Sequence, residues 1–146
     1  IQAAIGIHQL AKLDGFIARR TRLARRYRES FQDVEGVRLL GSVPYAYKHA
    51  WHLLVVEVDA GSLDIGRDEF LDILKQRNIG AGVHFPALHM QPYYQKAFRY
   101  RAGDFPNAER AAARILSLPL FPAMTESDVD DVAATVGAIV ADHRRA

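Results

Sequence analysis

The sequence predicts a small α/β domain of the α+β-like kind, with a short sheet covered by helices. Three observations predict it: a long amphipathic helix at the start, only a few β-branched segments, and several helical stretches around them. The chain has 146 residues, of which 49% are hydrophobic and 25% charged. This balance suits one domain with its own core, so residues 1–146 are predicted to form a single domain.

The first predicted element is one long helix over residues 2–33. Its apolar residues recur at spacings of three, four and seven, which places them on one stripe. They are Leu10, Leu13, Ile17, Ala24, Tyr27 and Phe31. At about 1.5 Å per residue such a helix is roughly 45 Å long, more than this small domain needs. We therefore predict that residues 1–34 connect the domain to another domain or to a second subunit.

A turn-rich loop, a strand and a second helix follow. The loop covers residues 36–50, and "AWHLLVVEVD" (50–59) has the β-branched and aromatic composition of a strand. The helix is predicted at 66–78, with Asn78 and Gly80 as its stop. Its predicted buried face consists of Phe70, Leu71 and Leu74.

The carboxyl-terminal part predicts a further strand and two helices. "GAGVHF" is predicted as a short strand, "NAERAAARIL" as a helix with Asn107 as N-cap, and "LSLPLFP" as extended chain because of its prolines. The last helix is predicted to begin with a capping box formed by Thr125 and Asp128. Its predicted core stripe consists of Val129, Val132, Ala133, Val136 and Val140.

Composition and missing motifs exclude several functions. The chain has no cysteine, which excludes disulfides and thiol catalysis and is compatible with the predicted location in the cytoplasm. It has no 18-residue apolar run, no G-x-S-x-G, no G-x-G-x-x-G and no P-loop. His84 and His89 are five residues apart with no nearby carboxylate between Asp72 and Asp104, so no metal site is predicted.

Basic residues concentrate in "ARRTRLARRYRES", where six arginines lie between Arg19 and Arg28, although the net charge is only +2. Such a run has two interpretations. It can form a nucleic-acid or phosphate-binding surface, but it is more typical of the solvated face of a helix. The run lacks interleaved exposed aromatic residues apart from Tyr27, which lies on the apolar stripe.

The segment "GVHFPALHMQPYYQKAFRY" (82–100) combines rings with neutral hydrogen-bonding groups. Histidine, glutamine and tyrosine beside apolar rings suit a sugar or a nucleotide, whose hydroxyls and base edges need hydrogen bonds next to a stacking face. The alternative is that the rings pack the segment onto the core. The rings and apolar residues concerned are Phe85, Leu88, Tyr93, Tyr94 and Phe98.

Four stretches of the chain, in the same order, resemble the DegT/DnrJ/EryC1/StrS family of sugar-nucleotide aminotransferases. They are "QAAIGIHQLAKLDGFIARRTRLARRY", "HAWHLLVVEV", "NIGAGVHFPALHMQPYY" and "ARILSLPLFPAMTESDVDDV". The resemblance covers nearly the whole chain and implies the small carboxyl-terminal domain of a fold-type-I enzyme. It implies pyridoxal 5′-phosphate as cofactor, bound by a large domain upstream, so we expect this chain to be a fragment without the catalytic lysine.

The resemblance also implies a substrate and a binding segment. Glutamate or 2-oxoglutarate and a 4-keto sugar nucleotide, in lipopolysaccharide or related sugar biosynthesis, are the expected substrates of a homodimeric parent enzyme. The expected hydrogen-bonding groups are His84, His89, Gln91 and Tyr94, and the expected packing surface is Phe85 or Tyr93. No metal, nucleic acid or membrane is expected. The alternative function is a nucleic-acid-binding or helix-mediated interaction domain.

Overall fold

The computed structural model describes residues 1–41 and 43–145, so Ser42 of the predicted loop and Ala146 lie outside the description. Six α-helices, three strands and one 3₁₀ turn follow one another within the described residues. They are α1 (Gln2–Leu10), α2 (Leu13–Ser30), β1 (Val37–Leu39), β2 (Leu54–Val58), α3 (Arg67–Gln76), the 3₁₀ turn (Leu88–Met90), α4 (Pro92–Phe98), α5 (Pro106–Arg114), β3 (Ile115–Leu118) and α6 (Glu126–Asp142).

The strands form one antiparallel sheet in the order β1-β2-β3. Val56 of β2 is opposite Leu39 on one side and Leu116 on the other, and alternate residues of β2 are buried. This inner face packs with α2, α3 and α6 into one hydrophobic core that includes Tyr27, Phe70 and Val136. The predicted class, a short sheet covered by helices, is confirmed, and the antiparallel pairing makes it α+β.

The predicted long helix is divided and shorter than expected. It separates into α1 and α2 at Ala11–Lys12, and α2 ends at Ser30 rather than at residue 33. The Lys12 N–H bonds to the Gln9 carbonyl (3.1 Å), a tighter 3₁₀-type link. None of the residues of α1, all of which are described, is buried, so no packing holds the two segments to a common axis.

The amino-terminal part of the predicted stripe is not in the core. Leu10 and Leu13 are exposed, whereas Leu23, Ala24, Tyr27 and Phe31 are buried. The apolar periodicity therefore identified the helix correctly, but within this chain only its carboxyl-terminal half is covered by other elements.

Five further element predictions were wrong in part. β1 lies inside the predicted loop, and the strand predicted at 50–59 is regular only over Leu54–Val58. "GAGVHF" forms a single bridge, Gly82 to Ser117, and no regular strand. The helix predicted from Asn107 begins at Pro106, because proline suits the first helical position, where no N–H partner is needed. The segment 82–100, for which no helix was predicted, contains the 3₁₀ turn and α4.

The helix-end predictions for α3 and α6 agree with the structure. Asn78 adopts the left-handed conformation (φ 60°), and the N–H groups of Asn78 and Ile79 bond the carbonyls of Lys75 and Leu74. At α6, the Thr125 side chain accepts the Asp128 N–H (3.2 Å) while the Asp128 carboxylate accepts the Thr125 N–H (2.7 Å). The α6 stripe is buried at Val129, Val132, Val136 and Val140, with Ala133 partly buried.

Residues 75–115 form a peripheral layer beside this core. Between Leu74 and Leu116, all described by the structure, His89 is the one fully buried side chain, and it is polar. Neither α4 nor α5 contains a buried residue. The layer carries every residue that the sequence predicts for substrate binding, so its own contacts determine how those residues are arranged.

Candidate functional site

The segment that precedes the 3₁₀ turn is attached to the third strand. Gly82 and Ser117 exchange two backbone hydrogen bonds (3.1 and 2.7 Å), so the chain runs beside β3 for one residue pair. Two residues further, His84 Nδ1 lies 3.0 Å from the Ser117 hydroxyl oxygen. Ser117 is buried, and this contact fixes the His84 ring against the outer face of the sheet.

Phe85 is next to this anchored histidine and points outward. Its side chain is 71% exposed, and its ring lies edge-on to the His84 ring at 5.2 Å between centroids. An exposed ring next to an immobilised imidazole offers a flat apolar face beside a polar group. This pair has the composition predicted for a sugar or nucleotide contact.

His89 lies inside the peripheral layer and does not present its ring to solvent. It is only 6% exposed, and its ring centroid is 4.8 Å from that of Phe105. His89 Nε2 lies 2.9 Å from Glu109 Oε1. An ionised carboxylate only accepts hydrogen bonds, so Nε2 carries the proton and donates it. Because Glu109 occupies the Nε2 donor of His89 in this chain, a hydrogen bond from His89 to a substrate stays a prediction.

Glu109 receives hydrogen bonds from three residues that lie in two separate segments. Besides His89, the Gly103 N–H donates to both carboxylate oxygens (2.8 and 3.0 Å) and the Phe105 N–H donates to Oε1 (3.3 Å). The His89 hydrogen bond, followed by the backbone N–H groups of Gly103 and Phe105, holds the pKa of the Glu109 carboxyl below its ordinary value of 4.5. Gly103 has φ of 95°, a conformation that favours glycine.

The other predicted residues lie on α4, at the surface. Gln91 is the N-cap of α4 without a side-chain cap bond, and Tyr93 is 70% exposed. Tyr94 is half-buried and stacks on Phe98 (6.0 Å between centroids). Tyr94 and Phe98 line an open cavity of about 360 Å³, together with Leu88, His89, Tyr100, Phe105 and Ala108.

The structure thus separates the predicted residues into two groups. Phe85 and Tyr93 are exposed and Gln91 and Tyr94 are partly exposed, while the His84 and His89 rings are held by Ser117 and Glu109. The sequence analysis missed both partners, because Ser117 and Glu109 lie 33 and 20 positions away in the chain. The only local signal for the Glu109 contact was an acidic residue in the first turn of a predicted helix. An acidic residue at that position is explained equally well by the helix dipole.

No lysine in the described residues lies in a setting that suits a Schiff base. A cofactor-binding lysine needs a desolvated amine with a lowered pKa. All four lysines are exposed, and two of them form ion pairs. They are Lys12, Lys48 (paired with Asp14), Lys75 (paired with Asp72) and Lys96. The residues present therefore do not fit as the attachment point of pyridoxal phosphate.

Residues 1–41 and 43–145 contain neither a cluster of metal-binding side chains nor a helix that could cross a membrane. No three histidine or acidic side chains come close enough together to hold a metal ion. None of the helices combines the length and the apolar character that crossing a membrane requires.

Several arginines of the basic run contact the last helix. Arg26 makes a two-pronged pair with Asp130 (both contacts 2.6 Å) and approaches Glu126 (3.5 Å), which Arg22 also approaches (3.6 Å). The Arg26 pair, with its short parallel hydrogen bonds, favours the packing of α2 on α6. These contacts use positive charge that a nucleic-acid surface would need to keep free for phosphates.

The whole architecture has known counterparts. Residues 1–137 match the model of the DegT/DnrJ/EryC1/StrS aminotransferase family, and the chain belongs to that family. The chain is 45% identical over 144 residues to the spore coat polysaccharide biosynthesis protein SpsC of Bacillus subtilis, covering 96% of this chain and 36% of SpsC. The predicted family is confirmed.

Two other relatives extend the comparison. The UDP-4-amino-4-deoxy-L-arabinose–oxoglutarate aminotransferase of Shewanella sediminis is 37% identical over 144 residues, covering 96% of this chain and 37% of the enzyme. The stretches "AWHLLVV", "GVHFPALHMQPYY" and "SLPLFPAMTESDVD" resemble this enzyme in sequence. The structure of DesV from S. venezuelae, in complex with a ketimine intermediate, superposes with a TM-score of 0.84 at 30% identity, covering 95% of this chain and 36% of DesV. The chain therefore spans little more than a third of these relatives.

Proposed function

We propose that the protein containing this chain is a pyridoxal phosphate-dependent aminotransferase that transfers the amino group of glutamate to a 4-keto sugar nucleotide. In the net reaction, the amino group of glutamate and the carbonyl oxygen of the sugar change places, which yields 2-oxoglutarate. The family match over residues 1–137 is the observation that carries the proposal. The oxoglutarate-dependent relative supports the choice of donor, and its UDP-sugar supports the choice of acceptor.

The cofactor and its lysine belong, in this proposal, to the remainder of the parent protein. When bound there, pyridoxal phosphate supplies the electron sink for the carbanion chemistry. The lysines of this chain are exposed to solvent and stand apart from that chemistry. The parent is proposed to act as a cytoplasmic homodimer in the biosynthesis of lipopolysaccharide or a related polysaccharide.

This chain contributes the substrate wall, which we define as residues 84–94. Phe85 and Tyr93 offer exposed rings for the apolar face of a sugar or base, and Gln91 offers an amide for hydroxyl groups. Tyr94 lines the adjacent cavity. His84 is fixed by Ser117, so its ring is presented to a ligand without a further loss of rotamer freedom. His89 holds this wall in position from behind.

The reaction is tested with the purified full-length protein. Incubation with ¹⁵N-glutamate and a UDP-4-keto pentose should yield ¹⁵N in the sugar nucleotide and equimolar 2-oxoglutarate. The reverse assay, UDP-4-amino-4-deoxy-L-arabinose with 2-oxoglutarate, should release glutamate. An active enzyme that transfers no ¹⁵N from glutamate to a nucleotide-linked sugar would contradict the proposal.

The basic run between Arg19 and Arg28 suggests nucleic-acid binding as an alternative to the aminotransferase function. The pairing of Arg22 and Arg26 with α6 counts against it, because exposed cations are what make such binding strong and salt-dependent. Affinity for a random-sequence duplex that falls steeply between low and physiological salt would favour this alternative over the aminotransferase.

A further inference from the structure

The residues around α4 are connected to the rest of the domain in an unusual way. α4 has seven residues, all described by the structure and none of them buried. A helix this short is unstable by itself in water, because nucleation costs more than so few hydrogen bonds return. Its position must therefore come from the segments that precede and follow it.

Both of those segments converge on one carboxylate. His89, two residues before the N-cap of α4, donates to Glu109 Oε1 (2.9 Å). Gly103 and Phe105, after the end of α4, donate their backbone N–H groups to the same carboxylate (2.8 to 3.3 Å). Glu109 itself lies on α5, so a single side chain closes the chain segment 89–105 into a loop with α4 at its tip.

Aromatic rings connect the tip to this closure. Tyr94 stacks on Phe98 (6.0 Å), Phe98 stacks on Tyr100 (5.7 Å), Tyr100 meets Phe105 edge-on (5.2 Å), and Phe105 contacts His89 (4.8 Å). The rings transmit the position of His89 and Phe105 to α4. This row of rings ends at Phe105 and His89, which Glu109 holds. The positions of the rings therefore depend on the Glu109 carboxylate as well.

We propose that Glu109 is a positioning residue, a clasp that acts through His89, Gly103 and Phe105 to set the orientation of α4 and hence of Gln91, Tyr93 and Tyr94. This inference rests on the proposed function only in assigning those side chains to the substrate. The clasp itself concerns only the local stability of the peripheral layer. Glu109 touches no substrate and takes no part in the chemistry.

The clasp lies outside the hydrophobic core, so its loss should leave the core folded. The residues between Leu74 and Leu116, all described by the structure, place no apolar side chain fully in the core. Loss of the clasp therefore opens the segment 89–105 while the sheet with α2, α3 and α6 stays folded. Local opening of this kind is visible as faster amide hydrogen exchange in one segment.

The test uses the full-length protein with Glu109→Ala, Glu109→Gln and the control Glu69→Ala. Glu69 is exposed in the first turn of α3, so the control removes an acidic side chain from a comparable position near a helix start. Hydrogen exchange is measured over residues 92–98, over β2 and over α6. Steady-state kinetics with the sugar nucleotide and with glutamate are measured on the same samples.

Glu109→Ala should accelerate exchange at residues 92–98 by about tenfold or more, and by a smaller factor in β2 and α6. Glu109→Gln keeps an acceptor for the backbone N–H groups and should give an intermediate acceleration, while Glu69→Ala should resemble the wild type. Exchange over residues 92–98 that is unchanged in Glu109→Ala would overturn the proposal. Loss of cooperative folding of the core in either Glu109 variant, or equal acceleration everywhere, would overturn it too.

Kinetics separate the clasp from the substrate wall. If the clasp and the substrate wall are both correct, Glu109→Ala raises KM for the sugar nucleotide more than it lowers kcat. Glu109→Gln then gives a KM between that of Glu109→Ala and that of the wild type. If exchange accelerates at α4 while kcat/KM for the sugar nucleotide stays normal, the clasp is supported and the substrate wall in the proposed function is wrong.

Discussion

Replacement of His89 by alanine distinguishes a substrate contact from a positioning role. The ring is 6% exposed and its Nε2 donates to Glu109, so truncation removes the link between the 3₁₀ turn and α5. Gln91 and Tyr94, two of the expected hydrogen-bonding groups, then lose their fixed position relative to the ligand. Two neutral hydrogen bonds to a ligand, at about 0.5–1.5 kcal/mol each, correspond to roughly a 5- to 150-fold loss of kcat/KM.

The assay is a double-mutant cycle on kcat/KM for the sugar nucleotide. The wild type, His89→Ala, Glu109→Ala and the double variant are compared under identical conditions, with melting temperatures recorded for each. Because the two side chains act as one unit, the double variant should be no more than about twofold worse than Glu109→Ala alone. The effects of the single substitutions should therefore be strongly non-additive.

Additive effects would refute this reasoning. If His89→Ala costs the same factor in the Glu109→Ala background as in the wild type, the histidine contacts the ligand directly, as the sequence analysis had predicted. A lowered melting temperature with unchanged kcat/KM in His89→Ala would instead show that the histidine serves only the packing of the layer.

Three other predictions concern the chain itself. Incubation of residues 1–146 with pyridoxal phosphate and borohydride should give no stoichiometric single-site adduct in the mass spectrum, because the lysines are exposed. The isolated chain should self-associate in sedimentation experiments through α1, and Ile5→Asp with Ile7→Asp should weaken this, because both residues are exposed there. Thr125→Ala should lower the free energy of unfolding by about 0.5–2 kcal/mol. The Thr125 hydrogen bonds lower the pKa of Asp128 below its ordinary 3.8, so their contribution is complete above pH 3.8 and lost as the pH falls through the lowered pKa.

The parts of the fold that local chemistry determines were predictable from the sequence. The capping box of Thr125 and Asp128 specifies the start of α6 within four consecutive residues, and Asn78 stops α3 by accepting a positive φ. The apolar stripes of these helices follow from the same local periodicity. In each case, the residues that decide the outcome are neighbours in the chain.

The parts that depend on distant residues were not predictable. β1 is only three residues long, and its pairing of Arg38 with Glu57 exists because β2 is already in place. The burial of His89 depends on Glu109, which lies 20 positions later. The sequence therefore predicts a candidate site at residues 84–94, while the division into exposed and anchored side chains required the fold.

The most direct test of the substrate wall is ligand protection in the full-length protein. Hydrogen exchange is compared with and without a saturating UDP-4-amino-4-deoxy-L-arabinose, and the α6 peptide 126–142, which packs on the inner face of the sheet, serves as the internal reference. If residues 84–94 form the substrate wall, exchange slows across residues 82–98 and does not change in α6. Unchanged exchange across residues 82–98 in a protein that kinetics show to be saturated would contradict it.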